Sequence, residues 1–372
     1  MEFRQKSTRI RSLWHAMGRG QYALYNEYAM VRSPGRTGSL GGEFMDIRNF
    51  ASLREKAEED YRAAAFPPAR LVLLHSGIAA AASLLCAVLN LLIQGMMDAA
   101  TGLGGLGSRT VLGTVQTLLN YALPIALPFW EFGLVFAVIG LARRRETTPG
   151  ALTMGFRNFG PVLRYQLLNG LIYIGVIMVL MHPLLGILML TPLSRGLPEA
   201  LANLANSGIT DTEAIIGDPQ VLQAIRPLVM AMLLLLAAVL VPLFYRLRMG
   251  SFALADDPQA GAMAAIRKSL RLTRGNSFAL LRVDLHFWWY YLGMLASAAV
   301  CYGETLLALL GVRLPLSAQV QYILFYALGL GVQLLIQYAA LARVQLTYAA
   351  AYDALASAPR PPARAAAVQW EY

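Results

Sequence analysis

Six long apolar runs, at about 71–97, 118–142, 161–190, 227–249, 279–310 and 320–350, constrain this chain more than any other feature. A helix rises about 1.5 Å per residue, so a bilayer core about 30 Å thick asks for about 20 apolar residues. Each run meets that length. Backbone groups in lipid find no water to bond, so each run is expected to be a helix. Strands of a membrane barrel are shorter and alternate in polarity, and these runs do not. Charged residues are 14% of the chain and hydrophobic residues 57%, against about 25% charged in globular domains. The expected fold class is all-α: a polytopic membrane protein with six transmembrane helices.

Basic residues orient the runs. Residues 1–70 carry 12 Lys and Arg, residues 143–164 carry 5, residues 246–282 carry 7, and the stretch after Tyr338 carries 3. The alternate loops hold only Arg109, Arg195, Arg226 and Arg313. Basic loops stay cytoplasmic, so both termini are expected inside and the crossings number six. The loop 191–225 agrees, with Glu199, Asp211, Glu213 and Asp218 against Arg195. The net charge of +10 is thereby a topology signal beside anionic lipid, and no nucleic-acid partner is expected. Cys86 and Cys301 fall in separate runs with no metal-ligand spacing, so neither a disulfide framework nor a cofactor is implied.

Residues 1–44 are basic, Gly-rich and without a secretory apolar core. GGEF runs directly into Met45, and Gly-Gly-Glu can be encoded as a bacterial ribosome-binding sequence at a suitable distance from an ATG. Translation is therefore expected to begin at Met45, with 1–44 an upstream extension; the other reading is a disordered tail. Residues 45–355 form the membrane domain, with an outer loop at 191–225 and a cytoplasmic amphipathic segment at 251–278. Residues 356–372 are a cytoplasmic tail.

Each pair of crossings follows a short amphipathic stretch. Phe50, Leu53 and Ala57 share one helix face, as do Leu152, Phe156 and Phe159. In the third stretch Met263, Ile266 and Leu270 form an apolar arc. Beside it lies a basic arc of Arg267, Arg271 and Arg274, extended by Lys268. The stretches begin near 46, 147 and 258, about 100 to 110 residues apart. The expectation is three repeats of interfacial helix plus transmembrane hairpin, apolar side chains in the acyl boundary and arginines among phosphates.

Ionisable groups inside a membrane helix cost several kcal/mol and mark function by default. Glu131, in LPIALPFWEFGLVF between Pro128 and the inner arginines, is the foremost intramembrane candidate. It reads either as a proton or cation site or as a carboxyl hydrogen-bonded across a helix interface. Asp284, His286 and Glu304 complete the intramembrane polar set. His75 and His182 read as packing residues, and Asn90, Gln94, Asn169, Gln333 and Gln337 as interhelical hydrogen bonders, each worth on the order of 1 kcal/mol.

The stretch from Tyr245 to Tyr291 is the most distinctive. Arg246 and Arg248 end the fourth run, and Asp257 and Pro258 have the chemistry of a cap and a first helical turn. Gly275 and Asn276 close the following helix. Ala253, then Ala255 to Pro258, then Ala265, Ile266 and Ser269, then Gly275, Asn276 and Asp284 follow in an order that resembles a family of bacterial integral membrane proteins. That family is known by a domain of unknown function, number nine-seven-five. The resemblance implies a multi-pass protein of a bacterial inner membrane and brings no activity with it.

No P-loop, nucleophile elbow or HExxH motif is present, and the chain is expected not to be an enzyme. The leading functional expectation is engagement of anionic lipid headgroups, or of a membrane protein partner, through the cytoplasmic helices. Arg267, Lys268, Arg271, Arg274 and Asn276 are the lipid or phosphate candidates. The alternative is a small-molecule or lipid transporter working through Glu131, with Pro124 and Pro128 free to break its helix. A lipid enzyme built on Asp256, Asp257, Asp284 and His286 has the weakest case.

Overall fold

The computed structural model describes residues 47, 49–100, 103–194, 196–206, 219–309, 312 and 314–358. The expectations for residues 1–44, for most of the tail and for the middle of the outer loop lie outside the described residues. Among those described, all regular structure is helical.

Five helices are long and apolar enough to cross a membrane. These are α2 (Pro68–Ala99), α3 (Leu103–Ala142), α5 (Phe159–Met189), α7 (Pro219–Leu247) and the C-terminal α13 (Ala318–Ser357). Short helices connect them: α1 (Phe50–Ala63), α4 (Met154–Arg157), α6 (Gly196–Asn206), α8 (Met249–Asp256) and α9 (Ala262–Leu272). Local chemistry sets several starts. Asn49 accepts from the Ser52 amide to open α1, and Ser317 accepts from the Val320 amide to open α13. Proline at the first turn starts α2.

The run 279–310 behaves differently. It forms α10 (Ser277–His286), α11 (Trp288–Cys301) and α12 (Gly303–Leu309). Phe287 (φ −101°, ψ 23°) and Tyr302 (φ −94°, ψ 18°) interrupt it, both in the sparsely populated bridge region. Each following helix begins at once, with the Tyr291 amide bonded to Phe287 O and the Leu306 amide to Tyr302 O, so one residue and no loop separates each pair. Close packing on α13 accompanies them. A Cβ at Gly329 would land on the Cys301 thiol, and one at Gly303 on the Phe325 ring.

The buried core gathers at one end of the molecule, the basic end carrying loop 143–153 and the stretch 248–277. Leu53 of α1, Leu71 of α2, Val138 of α3, Val162 of α5, Leu254 of α8, Leu280 of α10 and Tyr348 of α13 are all fully enclosed there. Toward the opposite end Leu92, Leu118, Val179 and Leu234 stand exposed, as apolar side chains bathed by lipid would. There α5 and α7 close on each other through Leu188 and Leu228.

The short helices are docked into this core. The Leu53 and Ala57 face of α1 is buried. Its acidic face pairs Glu58 with Arg343 of α13 (3.3 Å) and Glu59 with Arg144 just past α3. Asp60 is enclosed with Lys56 at 2.7 Å; burial pushes its carboxyl above the ordinary value against the pull of Lys56 and Arg144. The segment Pro149–Arg157 lies flush on α3. A Cβ at Gly155 would coincide with the Phe129 carbonyl oxygen, and one at Gly133 with that of Leu152.

This reciprocal glycine contact makes a prediction. Gly155→Ala is expected to cost about 1–3 kcal/mol through overpacking. Gly160→Ala, which meets nothing within 4 Å, is expected to hold stability or raise it by up to about 1 kcal/mol. Thermal unfolding of the purified variants measures both, and equal midpoints would contradict the packing argument.

Candidate functional site

The predicted basic arc exists, with one member diverted. Ala262, Ala265, Ile266 and Ser269 form the buried face of α9. The Ser269 and Thr273 hydroxyls both donate to Arg246 O at the end of α7, at 2.7 and 3.1 Å. That clamp fixes which side of α9 faces out. Arg267, Arg271 and Arg274 are exposed, and among the described residues no acidic side chain pairs with them. Lys268 instead reaches Asp256 at 2.9 Å. Asn276 is half-buried and turns back to Leu272 O. The expected membrane-facing apolar arc is split: Ile266 packs in the core while Met263 stays exposed. Met263 lies one turn before Arg267 on the same stripe. It borders an open groove of about 510 Å³ with Arg164, Leu167, Leu168 and Leu171 of α5.

Asp257 caps as expected, accepting from the Gln259 and Ala260 amides at 3.1 Å each, though the turn it opens is Pro258–Ala260. The α-helix follows only after Gly261, whose φ of 82° favours glycine. Asp256 does not cap. It pairs with Lys268 and with Arg143, and takes the Tyr352 hydroxyl at 2.8 Å. Arg143 also bonds Asp353 at 3.0 Å. Burial alone would lower the Arg143 guanidinium, but the hydrogen bonds to the two carboxylates outweigh it and hold its pKa above the ordinary value. The two adjacent aspartates thus divide the work, Asp257 as a cap and Asp256 as an ion-pair hub.

A second hub forms around Asp284, which is buried on α10. Oδ2 accepts from the Tyr245 hydroxyl at 2.7 Å and from Arg248 at 3.3 Å. Oδ1 accepts from the Tyr348 hydroxyl at 2.6 Å and from that of Tyr291. The Arg248 guanidinium lies over the Tyr348 ring, 3.9 Å from its centroid. One carboxylate thereby joins α7, α10, α11 and α13, together with the arginine that follows α7. None of these partners was singled out from sequence beside Asp284. The available signal was tyrosine at 348 and 352, one helical turn apart, facing the two aspartates.

The remaining candidates are dispersed. Glu131 is exposed on the flank of α3, and no hydrogen bond to its side chain forms among the described residues. Pro124 and Pro128 lie inside α3 without ending it. His286 is not part of that hub: its ring stacks on Phe50 at 3.8 Å. Glu304 is half-buried in the first turn of α12. His75 is buried against the Trp130 ring at 5.6 Å. Of the amides, Asn90 makes an interhelical bond, to Asn120 at 2.9 Å.

Removing one partner of a buried ion pair leaves the other uncompensated. Asp284→Ala is expected to destabilise the protein by about 3–5 kcal/mol. Combined with Arg248→Met the cost should fall short of the sum by about 1–3 kcal/mol. A double-mutant cycle by thermal unfolding checks this, and strictly additive costs would mean the two side chains do not share a hub.

No curated protein and no solved structure matches the chain. A family model matches residues 53–354, from α1 to the last turn of α13, and so takes in both hubs and the arginine stripe. The chain therefore belongs to the family described as protein of unknown function (DUF975).

Proposed function

We propose that the protein is a non-enzymatic, multi-pass protein of a bacterial cytoplasmic membrane that engages anionic lipid headgroups through the outward stripe of α9. The observation carrying this reading is that Arg267, Arg271 and Arg274 are exposed while the opposite face of the same helix is locked in the core. Their charge is held in one direction without an internal acid to neutralise it. The groove beside Met263 and Leu171 leads into that stripe. It gives an acyl chain an apolar path along α5 while the headgroup meets Arg164 and the arginines.

In this reading α10 to α12 form a bent sixth crossing between α9 and α13. Both termini and the basic end are cytoplasmic, as the Lys and Arg distribution requires. The three docked segments α1, Pro149–Arg157 and α8–α9 each introduce one hairpin, which supports a threefold repeat. The docking also supports a revised role for these segments. They close the cytoplasmic end of the bundle, and the outer stripe of α9 is left to meet headgroups.

Two measurements test this. With Arg267, Arg271 and Arg274 changed to Gln, the preference of the reconstituted full chain for phosphatidylglycerol over phosphatidylcholine should fall by about a hundredfold. That follows from about 1 kcal/mol per basic residue near the surface and a tenfold change per 1.4 kcal/mol. An unchanged preference overturns the lipid reading. For the topology, single cysteines are placed in a chain whose Cys86 and Cys301 have been changed to Ala. Arg109→Cys should react with an impermeant maleimide in intact cells and Arg267→Cys only after permeabilisation. The reverse pattern overturns the orientation.

A further inference from the structure

The Asp284 hub forms the floor of an open groove of about 490 Å³, whose walls are Tyr173 of α5 and Leu240, Val241 and Phe244 of α7. No residue of the α9 stripe lines this space. Counting donors and acceptors at the floor decides what could enter it. A carboxylate offers about four acceptor positions, and Asp284 already receives three tyrosine hydroxyls and one guanidinium N–H. It has nothing left for a cation. Arg248 carries five N–H donors, of which one goes to Asp284 and one, at 3.5 Å, to the Tyr291 hydroxyl. Its side chain remains 18% exposed.

We propose that this groove is a binding site for one acidic phospholipid, its phosphate held by the free N–H groups of Arg248 and an acyl chain laid against Val241, Phe244 and Tyr173. The planar guanidinium, braced over the Tyr348 ring, presents a fork matched to phosphate oxygens. The internal pair with Asp284 fixes the position of the fork without exhausting it. The walls belong to helices long and apolar enough to cross a membrane, so the medium that supplies the tail is the bilayer itself. The site uses α5, α7, α10 and α11 and shares no residue with the α9 stripe, so it stands or falls separately.

The test uses the full chain purified in mild detergent, incubated with mixed micelles of phosphatidylglycerol and phosphatidylcholine, and read by native mass spectrometry. One phosphatidylglycerol per chain should survive activation that strips phosphatidylcholine. Val241→Trp fills the groove at a position 45% exposed in the folded chain and leaves the hub intact; it should cut retention at least tenfold. Arg248→Lys keeps the charge and loses the fork, and should also lower retention. The Arg267, Arg271 and Arg274 to Gln variant should keep the retained lipid, which separates this site from the surface stripe. Equal retention of both lipids by the unmodified chain, or full retention by Val241→Trp, overturns the proposal. So does displacement of the lipid by millimolar inorganic phosphate together with insensitivity to Val241→Trp, which would make the site one for free phosphate.

Discussion

One buried carboxylate organises the packed end of this protein. Asp284 is buried, and its two oxygens are met by the hydroxyls of Tyr245, Tyr291 and Tyr348 and by Arg248. The partners come from three stretches of the chain, at 245–248, 291 and 348, and each must arrive for the others to be satisfied. In a low-dielectric setting such a network is costly when incomplete and rigid when complete. The bend at Phe287 lies between Asp284 and Tyr291, which bond to each other across it. The irregularity in α10–α11 and the geometry of the hub are two aspects of one arrangement.

Around that centre the same principle recurs with less burial. Asp256 ties Arg143 and Lys268 to α8 and engages Tyr352, and the acidic face of α1 holds Arg144 and Arg343. Apolar burial cannot drive helix association in lipid, where tails are as apolar as leucine. Polar links and the glycine contacts at Gly133 and Gly155 are the forces that remain at that end. They explain why the packed core lies at the basic end, where headgroups and water begin.

The long helices were legible because span length and apolar composition are local properties. The Asp257 cap was legible for the same reason. The hubs were not, since Arg143 and Asp256 stand 113 positions apart and Asp284 and Tyr348 stand 64 apart, and no periodicity links them. The apolar face of α1 was located at Leu53 and Ala57 and that of α9 only in part, at Ile266 and not at Met263, and amphipathicity does not say what covers a face. Protein does so at Leu53 and Ile266, where lipid was expected. Lys268 looked equivalent to its arginine neighbours on a helical wheel, and only the fold brings Asp256 to it. The bends at Phe287 and Tyr302 had no proline to announce them, and they depend on contacts made by distant residues.

The concentration of packing at one end has a mechanical consequence. A helix such as α7, with 29 residues, is about 43 Å long at about 1.5 Å per residue. It is gripped at its basic end by the hydroxyl clamps on Arg246 and by the hub on Tyr245 and Arg248. Gripped there and meeting α5 beyond through Leu188 and Leu228, it can turn about the grip as a lever. A tilt of about 5° at the grip would carry the far tip by about 4 Å, by the same rise per residue. A small rearrangement among a few side chains at the basic surface would therefore be felt as a large displacement on the opposite side of the bilayer.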